Sequence, residues 1–389
     1  MTPGARVAAA IAVLDEILSG AAAEQALTRW ARASRYAGSK DRAAVRDHVY
    51  DVLRRKTSLS ATAGARTGRD LMRALAVSSG WDVVALFDGQ GHAPAPLSVA
   101  EKEPLQKPLT DWEKYDIPEW IWGDWCANLS EDAIPTAKTL QSRAPVFLRH
   151  NPRKGSIADA VASLAADGIT TEAHPFVQGC LKVTENPRRV KQSLAYQDGW
   201  VEIQDAASQA AIARIPVENG AQVLDYCAGG GGKALAVASA HHCYVTAHDI
   251  SLARMSDIQP RAIRAGVEIT IKETAALTAQ TPYDIVLCDA PCSGSGTWRR
   301  TPDEKWRFNP DKLLKYNALQ AEVLHKSMAL TKPGGLVAYM TCSVLTSENQ
   351  QVVENTLNET QGWAEIDQFA LCPSEHNDGF FLSLLQFKA

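Results

Sequence analysis

The sequence predicts an α/β protein in three parts. A mostly parallel sheet with helices on both faces is expected over residues 200–389, preceded by a small α/β unit at 145–199 and an all-helical region at 1–140. Three observations predict this order. Strand-like and helix-like stretches alternate from Val201 onward, the pattern of a parallel sheet covered on both faces. After Pro145, "PVFLRHN", "SIADAVASLAADG" and "CLKVTE" show the same mixture on a smaller scale. Residues 4–60 instead repeat apolar side chains at helical spacing.

Taken in order, Ala8, Ile11, Leu14 and Ile17 or Leu18 mark a first helix, and Val45, Val49 and Val52 or Leu53 another. "SRYAGSKDRAAV" connects them, with Ser39 as a candidate cap. Residues 62–86 read as helical and 88–108 as a loop, on its Gly and Pro content. "IPEWIWGDWCANL" begins a short helix whose Trp120, Trp122 and Trp125 are expected to pack. In the last part the strands are "QVLDYC", "YVTAHD", "VEITIK", "DIVLCD", "GLVAYMTCS" and "GFFLSLLQF". Helices are expected after Gly232, from Leu252 to Ala265 and from Asp311 to Leu330. Ligands on such a sheet sit beyond the carboxyl ends of the strands, where strand order reverses.

Composition excludes several classes. Hydrophobic residues make up 46% and charged residues 22%, as in an ordinary globular chain. No apolar run approaches the roughly 18 residues of a membrane span, and acids within the first helix argue against a signal peptide. A cytoplasmic protein without membrane contact is expected. The eight cysteines lack CxxC spacing, which argues against a zinc site or a disulfide framework, so no metal is expected. Net charge is −4, yet twelve Lys/Arg face four Asp between Arg29 and Arg73. A local basic patch of this kind suits contact with phosphates.

The chemistry-bearing residues cluster at strand ends. "LDYCAGGGGKALAVA" is a strand, a four-glycine turn and a helix, a combination that exposes backbone N–H groups to a ligand. A Walker A loop is disfavoured because Ala234 follows Lys233 where Ser or Thr is needed. Asp249 ends the second strand, placed either to accept from ribose hydroxyls or to cap the segment after Ser251. Cys292, in "DAPCSGSGTWRR", and Cys342, in "TCSV", each follow an apolar strand at the same edge. A free thiol has a pKa of about 8.5, and a cation such as Lys233, Arg299 or Arg300 would raise its reactive fraction.

Together, "YCAGGGGK", "HDIS", "DAPCSGSGTWRRTPDEKWR", "TCSVLTSEN" and "DGFFLSLL" resemble the Nop2/Sun, or RsmB-type, RNA cytosine-C5 methyltransferases over about residues 145–389. "GWVEIQDAASQAA" resembles the family's approach to its core. The resemblance implies a class I Rossmann-like methyltransferase core, S-adenosyl-L-methionine as cofactor and a cytosine in RNA as acceptor. It implies Cys342 as the nucleophile that adds at C6, because C5 of cytosine is itself a poor nucleophile. Asp289 is implied to bond the ring at N3, and Cys292 to serve loss of the C5 proton and product release. Lys233 is implied to orient cofactor and base. The cofactor is implied to lie on Cys227, Ala228, Gly229, Gly230, Gly231, Gly232, Lys233, Asp249 and Asp289. Trp298, Arg299 and Arg300 are candidates to meet flanking RNA around an unstacked base.

Two features depart from the family pattern. Gly230 stands where the family usually has proline, and the adenine-contacting acid is unassigned within Glu273–Ala276. The basic N-terminal helices, with "RYAGSKDRAAVRDHVYDVLRR", resemble the NusB-like RNA-binding domain of bacterial RsmB-type enzymes, and imply small-subunit (16S) rRNA as partner; a monomer is expected. A tRNA cytosine-C5 methyltransferase, a catalytically silent RNA-assembly factor and a DNA enzyme with Cys292 as nucleophile are the alternatives. An amino-methyltransferase would need Asn/Asp-Pro-Pro-aromatic where this chain has "DAPC".

Overall fold

A computed structural model describes residues 1–64, 66–102, 108–278 and 282–388. They divide into two compact units, residues 1–143 with 298–309, and residues 144–297 with 310–389. The first is helical: α1 (Pro3–Leu18), α2 (Ala23–Ala33), α3 (Ser39–Arg54), α4 (Lys56–Ala63), α5 (Gly68–Ser78), the single turns α6 (Val83–Leu86), α7 (Val99–Lys102) and α8 (Asp111–Lys114), then α9 (Glu119–Leu129) and α10 (Ala133–Leu140). Its core joins Val7, Val13 and Leu14 of α1 to Val45, Val49 and Leu53 of α3 and Leu71 and Leu75 of α5, the stripes expected of helical periodicity. Gly38, not Ser39, caps α3, its N–H donating to the Asp41 carboxylate. The turn α7 interrupts the loop expected over 88–108, and residues 103–107 of that loop lie outside the described residues.

In the second unit, a small antiparallel sheet is built from β1 (Val146–His150), β2 (Thr171–Ala173), β3 (Cys180–Val183) and β4 (Val201–Ile203), in the order β2-β3-β1-β4. Its helix α11 (Ile157–Ala166) starts on a Ser156/Asp159 capping box, and the single turn α12 (Leu194–Gln197) precedes β4. The small sheet therefore continues past the boundary expected at residue 199, because β4 pairs with β1 from Leu148↔Ile203 to His150↔Val201. The Asn151 amide ties this sheet to the larger one, donating to Gly199 O (2.9 Å) and Ala265 O (2.8 Å).

The main sheet comprises β5 (Gln222–Asp225), β6 (Tyr244–Ala247), β7 (Ile269–Ile271), β8 (Tyr283–Asp289), β9 (Thr331–Thr341), β10 (Trp363–Leu371) and β11 (Phe380–Phe387), in the order β10-β11-β9-β8-β5-β6-β7. Strands β5 to β9 are parallel, and β11 and β10 add antiparallel strands beyond β9. On β8, Ile285 and Leu287 face one core and Val286 and Cys288 the other, as the two-residue period of a strand requires. One face is covered by α13 (Ala206–Ala213), α14 (Gly232–Ala240) and α15 (Ile258–Ala265). The short α16 (Pro302–Arg307) belongs to the helical unit, and α17 (Pro310–Ala329) and α18 (Gln350–Glu359) cover the other face. Strand order reverses at β5, which lies between β6 and β8. A crevice at that reversal is where ligands are held in such sheets. No described helix is long and apolar enough to cross a membrane.

Candidate active site

The turn after β5 supplies one wall of this crevice. Gly229 and Gly231 have φ of 50° and 78°, and a Cβ at Gly231 would stand 2.8 Å from the Ile258 side chain. Glycine is needed there for conformation and for space alike. Gly230 lacks a positive φ, so its backbone does not itself demand glycine. Its carbonyl accepts from Arg261. Asp249 is buried, accepts the N–H groups of Gly229 (3.0 Å) and Ser251 (2.9 Å), and pairs with Arg254 at 3.1 Å. It thus clamps the glycine turn and organises the segment after Ser251 together.

Asp225, at the end of β5, accepts from Ala234 N–H through Oδ2 at 3.0 Å, while its buried Oδ1 has no protein donor. Burial, then the charge of Asp289, pushes its carboxyl up to about 7. Bare backbone in the crevice, a buried carboxylate at its edge and an undonated carboxyl oxygen fit a small ligand with hydroxyls and positive charge. Cys227 and Ala228 lead into the turn, the thiol pushed up by burial and Ala228 N–H donating to His248 O at 2.8 Å. His248 in turn bonds Thr274 Oγ1 at 2.8 Å. Residues 273–276 are all exposed, and the geometry singles out no adenine contact among them.

Gly232 begins α14 and Lys233 follows, donating from Nζ to Asp289 Oδ2 at 2.6 Å and lying 5.2 Å from the Phe380 ring centre. Burial alone would lower the Lys233 pKa, but the Asp289 charge and hydrogen bond outweigh it and raise the value. The ammonium is therefore held charged at the end of β8.

Beside this pair stand the two thiols. Cys292 Sγ and Cys342 Sγ are 3.5 Å apart. Only one of two thiols so close is readily ionised, and the surroundings choose which. The hydrogen bond from Cys292 lowers the Cys342 pKa, aided by the Lys233 charge and the Thr297 hydroxyl against the effects of burial and the Asp289 charge. Cys292 is pushed up by that same bond, by burial and by the charges of Cys342 and Glu348. The surroundings therefore favour ionisation of Cys342 over that of Cys292. Lys233 is the cation that acts on Cys342.

The residue that holds the two cysteine loops together is Glu348, to which the sequence reading assigned no role. Its fully buried carboxylate accepts from Ser293 N–H (2.7 Å) and Gln320 Nε2 (3.1 Å), and from the hydroxyls of Ser293 and Ser343. The serines that follow each cysteine thus share one anchor. The signal was present in "TSEN": an acid six residues past the cysteine of a buried loop. Gly296 completes the loop, its N–H donating to Cys342 O at 2.9 Å, where a Cβ would meet that oxygen at 2.8 Å.

Two expected RNA contacts are corrected. Trp298 is fully buried, stacked on Trp125 with ring centres 6.1 Å apart and planes 12° from parallel. Arg299 is 1% exposed, and its carbonyl accepts from Arg54 Nε at 2.7 Å. Both are core residues of the helical unit, because an indole and an aliphatic arginine stem bury more favourably than they hydrate. Arg300 is half-buried.

Comparison with known proteins gives the same family by two routes, family models and curated relatives. Residues 212–386 match the family model described as 16S rRNA methyltransferase RsmB/F, and residues 117–191 that described as Methyltr_RsmF/B-like, ferredoxin-like domain. The chain is 32% identical over 281 residues to ribosomal RNA small subunit methyltransferase B of Salmonella arizonae and equally to that of Salmonella typhi. The match takes in 67% of this chain and spans about two thirds (65%) of those relatives' length. Among solved structures, PH0851 superposes with a TM-score of 0.78 at 21% identity, covering 99% of both chains. A methyltransferase homolog protein from Pyrococcus horikoshii gives 0.62 at 22% identity, over 72% of this chain and 100% of its own. NSun6 from the same organism gives 0.61 at 15% identity, over 70% and 98%. These structures share the fold. The family models and the curated relatives place this chain in the RsmB/F family of methyltransferases.

Proposed function

We propose that the chain methylates C5 of a cytosine in RNA, with small-subunit (16S) rRNA as substrate, through a covalent bond between Cys342 Sγ and C6. The observation that carries this reading is the thiol pair, 3.5 Å apart and with surroundings that favour ionisation of Cys342, beside the Lys233–Asp289 ion pair. S-adenosyl-L-methionine, when bound, supplies an electrophilic methyl group, and Cys227–Lys233, Asp249 and Asp289 would hold it.

The chain's own part begins with the Cys342 thiolate. Its sulfur bonds to C6, the electron pair of the 5,6 double bond shifts through C4 to N3, and N3 takes a proton from water, which it returns when the adduct breaks down. Asp289, fixed by Lys233, accepts a hydrogen bond from the new N3–H. C5 is now enamine-like and able to take a carbon electrophile. Once Cys342 is alkylated, the negative charge that kept Cys292 protonated is gone. Cys292 then gives up its proton to water more readily, and its thiolate is available to take the one on C5. Breaking the S–C6 bond restores the double bond and returns Cys342 as thiolate.

Asp249→Ala should weaken S-adenosylmethionine binding by about 1–3 kcal/mol, the cost of removing a buried acceptor. Isothermal calorimetry on the full chain measures this. Unchanged affinity would take Asp249 out of the cofactor site.

The helical unit is read as the RNA-docking part of the enzyme. Arg42 and Arg46 on α3 are exposed and Arg55 is half-buried, whereas Arg54 is buried and bonded to Asp51 and to the Arg299 carbonyl. Changing Arg42, Arg46 and Arg55 to Glu, with Arg54 spared, should weaken RNA binding and leave cofactor affinity alone. Each lost phosphate contact should flatten the log–log salt dependence by about 0.7–0.9. An unaltered slope would make this face plain solvated surface. Bisulfite sequencing of total RNA from deletion and wild-type cells identifies the substrate: loss of a 16S position supports this reading, loss of a tRNA position favours the tRNA alternative, and no loss favours a silent assembly factor.

A further inference from the structure

A cavity in the second unit lies outside the crevice of the cysteines. It has a volume of about 960 Å³ and sits where the small sheet meets α13, α14 and the end of β10. Its floor is made of small side chains, Ala210 and Ala213 of α13 and Ala236 and Ala240 of α14. Large residues at these positions would fill the space, so the volume is built into the sequence. The polar groups on its walls include Arg149, His150, Arg214 and His241, and among the described lining residues there is no Asp or Glu. Arg214 is paired outside the cavity with Asp367 at 2.8 Å.

At its edge stands Phe176, which is 81% exposed. That is unusual for a large aromatic ring on a well-packed unit. The ring is not loosely placed. It meets the edges of His174 and His376, with centres 6.1 and 5.8 Å away and planes at 73° and 83°. His174 fixes the loop by accepting the N–H groups of Phe176 (3.2 Å) and Val177 (3.0 Å) and bonding His376 O at 2.9 Å. A pre-set, exposed ring beside an apolar recess is the arrangement on which an unstacked base lies.

The reacting groups do not line this cavity, but one helix, α14, runs from Lys233 to it. Lys233, Ala236 and Ala240 are spaced i, i+3 and i+7 on α14 and share one face of it. Ala236 is about 5 Å along the helix axis from Lys233. Arg149, on the cavity wall, donates to Gly232 O at 3.1 Å, next to Lys233.

We propose that this cavity is a second nucleotide subsite, which takes an unstacked base flanking the target cytosine, with Phe176 as its stacking platform and the cationic wall toward its phosphate. The proposal rests on the RNA methyltransferase reading and specifies how substrate beyond the target base is held. A platform of this kind recognises a base by its face, so it adds affinity and register more than sequence choice.

The test uses the full chain and a single-stranded RNA decamer with one cytosine and 2-aminopurine as its neighbour. The comparison is wild type against Phe176→Ala and against Ala213→Trp, which fills the recess, with thermal melts confirming that both fold. Wild type should quench the 2-aminopurine fluorescence, and both variants should lose the quench and bind the decamer about tenfold more weakly, the size of one base stack. KM for RNA should rise with kcat and S-adenosylmethionine affinity unchanged. Quenching and affinity equal to wild type in both variants would overturn the subsite while leaving the methyltransferase reading intact. That result would leave a protein segment as the better occupant of the recess. A wild type that binds no RNA and transfers no methyl group would overturn the functional reading and the subsite with it.

Discussion

Cys292→Ala enzyme, incubated with RNA and S-adenosylmethionine, should accumulate a protein–RNA complex that survives denaturing electrophoresis, and Cys342→Ala should form none. The expectation follows from the asymmetry between two sulfurs only 3.5 Å apart. Cys342 has Lys233 and a donated hydrogen bond from Cys292 to favour its thiolate, whereas Cys292 faces the charges of Cys342 and Glu348. The first sulfur can attack at neutral pH and the second is kept as a proton carrier until the first is consumed. Removing Cys292 allows C6 addition but stalls loss of the C5 proton, so the adduct persists. Removing Cys342 stops the sequence at its first step, and turnover should fall by several orders of magnitude. The double variant should resemble Cys342→Ala. Adduct formation should also persist as pH falls below the ordinary thiol range, because the Cys342 pKa is lowered. Adduct with Cys342→Ala and none with Cys292→Ala would exchange the roles and favour the arrangement of the DNA enzymes.

Replacing Glu348 should have the second largest effect, this time on stability as well as activity. Glu348→Ala strips the acceptor from Ser293 N–H, Gln320 Nε2 and two serine hydroxyls inside the core. Each buried donor left unsatisfied costs about 1–3 kcal/mol. Partial relaxation should bring the total to about 3 kcal/mol or more, and a unit of this size loses about 2–4 °C of melting temperature per kcal/mol. A drop of roughly 6–12 °C in a thermal melt is expected on that conversion. Glu348→Gln should be milder, keeping an acceptor oxygen while removing the charge that helps keep Cys292 protonated. Its Cys292 thiol should titrate at lower pH than in the parent enzyme, read by the rate of alkylation in a Cys342→Ser background. A melting temperature within a degree of wild type for Glu348→Ala would mean that this carboxylate does not hold the cysteine loops.

Much of the crevice was legible from the chain alone because strand ends are legible. An apolar run that stops at Asp249 or Asp289 places each carboxylate at the same edge of a parallel sheet, and the four glycines and two cysteines follow from the same reasoning. Period and punctuation are local properties, so the core strands and the longer helices could be read without tertiary information. Short or edge elements could not: β2, β4 and β10 carry weak patterns, since an edge strand buries only part of its surface.

What the tertiary structure alone decided concerns partners distant in sequence. Trp298 and Arg299 sit in a polar, basic stretch that suggests an RNA-facing loop, yet they are buried against Trp125 and Arg54. No local pattern tells a buried arginine from a solvated one when its partners lie some 245 residues away. The two cysteines were identified in the sequence, but which sulfur ionises more readily depends on Lys233 acting on Cys342 and Glu348 on Cys292. Thus the sequence determined which residues meet at the edge of the sheet. The fold decided their protonation and their support, because charge interactions and buried hydrogen bonds depend on distances in space rather than along the chain.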